Sequence, residues 1–367
     1  MLDLIIKNGR LVTGEKIEIG ITAGKIIAVE ESLSQEAKAT VSLAPDEYLS
    51  AGWIDGHVHC YQQMELYYDF PDEIGINKGV TTIVDAGSTG ALNIPDFYQR
   101  TRLAKTNVLA LINLADYGII RQDELADLTN LNPQHLKQAI EKFPDFIIGL
   151  KARMSKSVVG NNGVKPLVLA KKLQQELNLP LMVHIGSAPP ALKDILALLT
   201  AGDIVTHCFN GKENGILASD DLLKEFVWEA YRRGIVFDIG HGTDSFNFHV
   251  AEAALAQKMV ATTISTDIYY RNRENGPVYD LATTLEKLWQ VGYDLADLIE
   301  KVTSQPANYL NLKTKGQLKV GFDGDLTIFK LTEEAKNLID SDHNQRQTNK
   351  QIIPCKTIVG GTVYDIN

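Results

Sequence analysis

The stretch GWIDGHVHC, residues 52–60, introduces a pattern that recurs along the chain: a short apolar run that ends in polar side chains. Similar apolar runs occupy residues 80–86, 107–113, 146–151, 181–185, 203–207, 235–239 and 261–266. Amphipathic segments such as 166–178 and 219–234 separate these runs, with apolar residues three and four positions apart as in a helix. Alternating strands and helices are typical of a parallel sheet. The pattern therefore predicts an α/β fold, a (β/α)8 TIM barrel.

The two ends of the chain have a different pattern. β-Branched runs separated by glycine-containing turns fill residues 1–50, and the same style returns after residue 315 in GQLKVGFDGDLTIFK. A block of this size is too small to be stable as an independent sheet. We therefore predict that residues 1–50 and 315–367 together form a small β-sandwich beside a barrel made of residues 51–314. The polar residues 331–350 are expected to form a surface excursion.

Charge and cysteine content argue against several classes of protein. The chain of 367 residues has a net charge of -10 and an isoelectric point near 5.3, which disfavours binding to nucleic acid or to an anionic membrane. Its three cysteines show no paired spacing, and the start of the chain does not resemble a signal peptide. We expect a cytoplasmic protein that acts on a small molecule, with a homo-oligomer left open.

Two histidines end the first predicted strand and one aspartate ends the eighth. His57 and His59 are two residues apart, so in an extended strand both point to the same face. The eighth strand of a closed barrel lies beside the first, which brings Asp267 near both imidazoles. These three residues could hold a metal ion, and Asp267 could accept a proton from a water activated by that ion. The alternative is that they are ordinary polar residues at strand ends, with Asp267 a helix cap.

Two further histidines end the fifth and sixth predicted strands. His184 follows LMV and His207 follows IVT, so both are expected to be buried. A single buried histidine is more often a hydrogen-bonded core residue than a metal ligand. Neighbouring strands lie only about 5 Å apart, however, so two imidazoles at the same level could share a second metal.

Three more polar residues follow predicted strands. Lys151 ends the fourth strand, and by itself such a lysine is more often one that extends to the rim or pairs with an acid. Arg153 lies two residues further on and could bind a substrate carboxylate or a developing oxyanion, or could form a surface ion pair. His241, after the seventh strand, is a candidate substrate contact or an ordinary loop histidine.

Taken in order, these motifs resemble the amidohydrolase superfamily. The resemblance rests on GxxDGHVH, a lysine on strand four, one histidine each on strands five and six, and an aspartate on strand eight. In binuclear members the lysine is carboxylated by CO2, and the carbamate bridges two divalent metals. The resemblance thus implies a carbamate on Lys151 and a ligand set completed by His57, His59, His184, His207 and Asp267. Zinc is the expected metal for such mixed nitrogen and oxygen ligands, with manganese or iron as alternatives.

Three stretches resemble the deacetylase-type, or dihydroorotase-like, branch of that superfamily. They are GLKARMS, DIGHG and STDIYYRNRENGPVYDLATTLEKL. Dihydroorotase itself carries an arginine shortly after the HxH pair, and HVHCYQQMELYYDF contains none. The resemblance therefore implies a deacylase that cleaves an N-acyl amino acid or an acylated hydroxy acid, with a metal-activated hydroxide attacking the carbonyl carbon. The alternatives are a cyclic-amide hydrolase, a deaminase, and a barrel without catalytic activity.

Overall fold

The computed structural model of the chain describes residues 1–366. In these residues the strands are β1 Leu2–Arg10, β2 Lys16–Thr22, β3 Lys25–Glu30, β4 Ala37–Ser42, β5 Glu47–Ala51, β6 Trp53–Val58, β7 Val80–Ala86, β8 Asn107–Asn113, β9 Ile147–Met154, β10 Leu181–Ile185, β11 Ile204–Thr206, β12 Val236–Asp238, β13 Leu326–Thr332, β14 Lys336–Ile339, β15 Gln345–Thr348, β16 Gln351–Val359 and β17 Thr362–Asp365.

The helices lie mainly between the strands of the central sheet. They are α1 Pro71–Ile74, α2 Ile94–Thr101, α3 Pro133–Lys142, α4 Lys156–Val159, α5 Lys165–Leu177, α6 Leu192–Leu198, α7 Glu225–Arg232, α8 Phe248–Ala256, α9 Tyr270–Asn275, α10 Leu281–Val291, α11 Leu295–Lys301 and α12 Ser304–Tyr309. Short 3-10 helices occupy Ile76–Lys78, Gly118–Ile120 and Leu128–Asn130. No helix among residues 1–366 combines the length and the apolar character that a membrane span requires.

A curved parallel sheet forms the centre of the molecule. Its seven strands β6 to β12 follow one another in sequence order, each paired in parallel with the next. Every residue of β6 and β7 is buried, as expected for strands covered on both faces. Helices fill the connections, and their apolar faces share one large core with the sheet. The predicted α/β barrel is confirmed.

The predicted eighth strand, residues 261–266, closes the barrel without forming a regular ladder. Only two isolated parallel bridges occur, Thr263 with Asp238 and Ile268 with Val58. Backbone hydrogen bonds still connect this segment to both neighbours: Gly242 N donates to Thr266 O at 2.8 Å, and Asp267 N donates to His57 O at 2.7 Å. Asp267, which follows this segment, has a φ of +50°, which departs from extended geometry.

Both chain ends contribute to two smaller sheets beside the barrel. One sheet has the order β3-β2-β1-β4 and the other the order β17-β16-β13-β5. A single core joins them, with Leu4 and Ile19 from the first sheet packed with Leu326 and Ile358 from the second. The boundaries at residues 50 and 315 remain predictions.

The hairpin β14–β15 lies within the segment expected to be a surface excursion. Its turn is anchored to the barrel, because the fully buried Asp340 accepts a hydrogen bond from Phe248 N at 2.9 Å. Ser341 N donates to Phe246 O at 3.0 Å, next to the loop that follows β12. The polar sequence of this hairpin therefore reflects hydrogen bonding to the barrel as well as exposure to solvent.

Candidate metal centre

The structure brings six of the predicted residues together at the carboxyl end of the barrel strands. His57 lies in β6, Lys151 in β9 and His184 in β10. His59 and His207 directly follow β6 and β11, and Asp267 follows the closing segment 261–266. This is the end of a TIM barrel at which active sites are built.

Asp267 lies beside both histidines of the first strand. Its Oδ1 is 3.1 Å from His59 Nε2 and 3.4 Å from His57 Nε2. The ligand atoms of His57, His207 and Asp267 all lie within 4.8 Å of one another. Two imidazole nitrogens and a carboxylate oxygen at this separation fit a metal site.

Lys151 and His184 extend the cluster. The Lys151 ammonium nitrogen is 3.0 Å from His57 Nε2, and its side chain is almost fully buried. The imidazole rings of His184 and His207 lie 4.5 Å apart, and those of His57 and His207 lie 5.2 Å apart. In the parallel register Lys151 pairs with Met182, two residues before His184, and His184 pairs with Thr206, the residue before His207.

Two residues of the cluster have an unusual backbone conformation. His207 has a φ of +72° and Asp267 a φ of +50°, in the left-handed region that side chains other than glycine rarely occupy. Each such residue costs on the order of 1–3 kcal/mol and persists only where the surroundings enforce it. Strain at two neighbouring positions of one cluster is consistent with a functional requirement at both.

Hydrogen bonds at Nδ1 fix the ring orientation of two histidines, His57 and His207, so that Nε2 faces the cluster. His207 Nδ1 lies 2.6 Å from Gly240 O, an atom that only accepts, so Nδ1 carries the proton and Nε2 a lone pair. Thr206 Oγ1 donates to Asp238 at 2.7 Å and must therefore accept from His57 Nδ1 at 3.0 Å. Such outer partners commonly orient imidazoles that bind metals.

Two buried aspartates support the strands around the cluster. Asp238 accepts hydrogen bonds from the hydroxyls of Thr206, Thr263 and Ser265 at 2.6–2.8 Å. Asp55 accepts from the backbone N and hydroxyl of Thr266 at 3.1 and 2.5 Å. Burial raises the pKa of both carboxyls, to about 7 for Asp55. These bonds join strands β6, β11 and β12 to the closing segment.

The electrostatics of the cluster favour the charge states that a metal needs. Burial lowers the pKa of His207 to about 3 and the pKa of His57 and His184 well below the ordinary value, so the rings are neutral. Burial also lowers the pKa of Lys151 to about 7. Burial acts to raise the pKa of Asp267, but the hydrogen bond with His59 and the favourable electrostatics of the His207 ring, the His59 ring and Lys151 outweigh it. A lowered pKa keeps this carboxylate ionised. Neutral imidazoles and an ionised carboxylate are the forms that bind metal ions.

A small polar cavity opens beside the cluster. It has a volume of about 210 Å³, and its lining includes His184, Asp267, Arg153, Lys212 and Tyr67. His184 and Asp267 belong both to the cavity lining and to the cluster, and 18% of the Asp267 side chain is exposed.

Arg153 lines this cavity, as its spacing of two residues from Lys151 predicts. Its Nη2 donates to Gln122 Oε1 at 3.2 Å, and its Nη1 lies 3.4 Å from the buried carboxyl of Glu124. Burial raises the pKa of Glu124 to about 7. These contacts hold the guanidinium at the edge of the cavity, where its remaining donors can bind an anion.

His241 is not brought to the cavity. It is fully buried beneath it, with Nε2 2.8 Å from the Lys287 ammonium nitrogen and its ring stacked on Phe246. It does not belong to the cavity lining in the described residues.

Several residues of the site were not identified from the sequence. Asp238 and Asp55 are acids in otherwise apolar strands. Lys151 was identified as a polar residue in an apolar strand, and the same reasoning could have identified both aspartates. Lys212, Tyr67 and Asp244 lie in long loops whose paths no spacing pattern specifies.

Comparison with known proteins places this geometry in a family. A deacetylase of Enterococcus faecalis is 59% identical over 365 residues, 99% of each chain. The chain belongs to the deacetylase and dihydroorotase-like branch of the amidohydrolase superfamily. A model of the deacetylase-like composite domain matches residues 318–365. As a member of this family the protein is a hydrolase.

Solved structures of the superfamily agree in fold but differ in described activity. A crystal structure described as an adenine deaminase is 59% identical, covers 100% of both chains and has a TM-score of 0.99. One described as a dihydroorotase is 33% identical, covers 99% of this chain and 98% of the other, and has a TM-score of 0.90. These relatives confirm the family and the barrel, and they leave the substrate to be inferred from the cavity.

Proposed function

We propose that this hydrolase is a metal-dependent deacylase that releases the acyl group from a small N-acyl amino acid or acylated hydroxy acid. One observation carries the proposal: two cationic side chains, Arg153 and Lys212, line the same cavity as Asp267 and His184. A substrate carboxylate bound by these cations would leave the adjacent acyl group near the histidine cluster. The cavity volume of about 210 Å³ suits a substrate of this size.

The proposal includes a binuclear centre with zinc as the best-fitting metal. His57, His59, His184, His207 and Asp267 would supply nitrogen and oxygen ligands, and a carbamate formed from CO2 on Lys151 would add carboxylate oxygens to this set. Donors of this mixed type suit zinc, with manganese and iron as alternatives. When bound, such ions polarise a carbonyl group and lower the pKa of water towards about 7.

Residues of the chain would then bind the substrate and transfer the proton. Arg153 and Lys212 bind and orient the carboxylate, which places the acyl carbonyl near Asp267. The ionised Asp267 takes a proton from the attacking water and returns it to the leaving nitrogen or oxygen. Its partial exposure to the cavity allows this contact.

A matched pair of substrates tests the proposal. N-acetylalanine and its neutral amide, each as D and L forms, should differ strongly in kcat/KM because only the acid offers a carboxylate. Arg153→Met should raise KM for the acid by about 10–150-fold, since a hydrogen bond to a charged group contributes roughly 1.5–3 kcal/mol. KM for the amide should stay unchanged. Arg232→Met, at an exposed ion pair with Glu225, serves as the control.

Two other activities are distinguished in the same assay. Adenine carries no carboxylate, so deamination of adenine without hydrolysis of any acylated acid would overturn the proposal. Dihydroorotate does carry a carboxylate, and turnover of dihydroorotate alone would favour the cyclic-amide hydrolase. Equal losses for the acid and the amide in Arg153→Met would show that Arg153 does not bind the carboxylate.

A further inference from the structure

Lys287 and His241 form a buried polar pair that lies outside the cavity. The Lys287 ammonium nitrogen lies 2.8 Å from His241 Nε2 and donates to Pro277 O at 2.6 Å. Lys287 is 1% exposed and His241 fully buried. Within residues 1–366 no carboxylate lies within ion-pair distance of Lys287. Burial of an amine without an acidic partner is costly, so its presence requires an explanation.

The pair holds the imidazole ring of His241 in one orientation. His241 Nδ1 lies 2.9 Å from Gly242 O, which only accepts, so Nδ1 carries the proton and Nε2 accepts from Lys287. Phe246 stacks on the ring, with a centroid separation of 4.8 Å. Burial, together with the nearby Lys287, holds the pKa of His241 well below its ordinary value, which keeps the ring neutral.

The backbone on either side of His241 touches the metal centre. Gly240 O accepts the hydrogen bond from His207 Nδ1 at 2.6 Å. Gly242 packs so closely on Asp267 that an added Cβ would lie 2.4 Å from Asp267 Oδ2. Both glycines have positive φ values, +47° and +55°, which suit this close approach. Any shift of His241 would therefore move the groups that contact two of the proposed ligands.

The hairpin β14–β15 fastens the same loop from the other side. Ser341 Oγ donates to Gly242 O at 3.1 Å and accepts from Phe246 N at 3.1 Å. Lys287 belongs to α10, a barrel helix, whereas Ser341 belongs to the hairpin that extends from the end sheets. The loop after β12 is thus held between two elements that are distant in sequence.

We infer that Lys287, acting through His241, is a positioning residue for the metal centre. It holds the backbone of 240–242 so that Gly240 O keeps His207 Nε2 directed into the cluster and Gly242 buttresses Asp267. This inference rests on the metal centre of the proposed function and is independent of the substrate.

Three variants separate positioning from simple packing. Lys287→Met keeps the length of the side chain and removes the amine. His241→Phe keeps a stacked ring and removes both nitrogens, whereas His241→Gln retains an acceptor for Lys287. Lys171→Met is the control, because Lys171 is a buried lysine paired with Asp203 before β11, at the opposite end of the barrel.

The measurements are zinc affinity of the holoenzyme in competition with a chelator, and the visible spectrum of the cobalt-substituted protein. Lys287→Met and His241→Phe should bind zinc about 10–100-fold more weakly, the usual effect of losing an outer partner of a ligand. The cobalt bands should shift as well. His241→Gln should remain near wild type, and Lys171→Met should lose thermal stability but keep the affinity and the spectrum.

Wild-type affinity and spectrum in Lys287→Met, with only a lower melting temperature, would overturn the inference. If Lys287→Met does not fold, equal affinities in His241→Phe and His241→Gln would overturn it. A wild-type protein that binds no zinc, manganese or iron would overturn the metal centre itself, a result distinct from the other two.

Discussion

Apoprotein given zinc and 13C-labelled bicarbonate near neutral pH should acquire a carbamate on Lys151. Only the neutral amine reacts with CO2. At pH 7 an ordinary lysine with a pKa of 10.5 is neutral in about 0.03% of molecules, whereas a pKa of about 7 gives about half. Burial therefore raises the reactive fraction on the order of 10³-fold.

Carbon-13 NMR detects the product directly. Wild-type protein should show one carbamate resonance per chain, and Lys151→Met should show none. Lys171→Met should retain the resonance, because Lys171 is held in an ion pair with Asp203. Metal content should fall in Lys151→Met, and short-chain carboxylic acids should restore part of the activity by replacing the missing bridge.

Two results would refute this reasoning. One is a fully metallated, active wild type without a carbamate resonance. The other is a resonance that persists in Lys151→Met, which would assign the modification to another amine. Full activity of Lys151→Met would show that Lys151 is only a lysine buried beside the cluster.

Three further predictions follow from the same geometry. Elemental analysis of active protein should give close to two divalent ions per chain, and a reproducible value of one would contradict the binuclear centre. Asp267→Asn should retain most metal but lose about 10²–10⁴-fold in kcat, with a displaced acidic limb in the pH profile; normal kcat with a lower melting temperature would instead mean a structural role. Between about pH 7 and 10.5 the unfolded chain binds one proton more at Lys151 than the folded apoprotein does, so the free energy of unfolding gains about 1.4 kcal/mol per pH unit from this group. Urea titrations at a series of pH values give the free energy of unfolding at each pH. Its increase per pH unit should be smaller by that amount in Lys151→Met, and an identical increase would mean that the pKa of Lys151 is not lowered in the folded protein.

Local patterns were sufficient to predict the fold and the cluster. Strands buried on both faces appear as continuous apolar runs, and their carboxyl ends must meet in a closed barrel. His57, Lys151, His184 and Asp267 could therefore be predicted as neighbours although they are up to 210 residues apart. That inference needs only the order of the strands.

The rest depends on features that spacing does not encode. The closing segment is not a regular strand, and Asp267 after it has a positive φ that no spacing pattern predicts. His241 follows β12 as predicted, but its burial depends on Phe246 and on Lys287 from α10. Lys212 reaches the cavity from a long loop, and loops of this kind follow tertiary contacts rather than periodicity.

The shared core of the two end sheets constrains how the chain is made. The sheet β1–β4 is complete once residue 42 has been synthesised, but Leu326 and Ile358, which cover its apolar face, follow about 280 residues later. At roughly 5–20 residues per second, that interval is on the order of 14–60 s. During this time Leu4 and Ile19 lack the apolar partners that cover them in the folded chain, so the N-terminal segment can associate with other chains. Translation speed and chaperone supply should therefore govern the yield of folded enzyme, even though its finished structure is well packed.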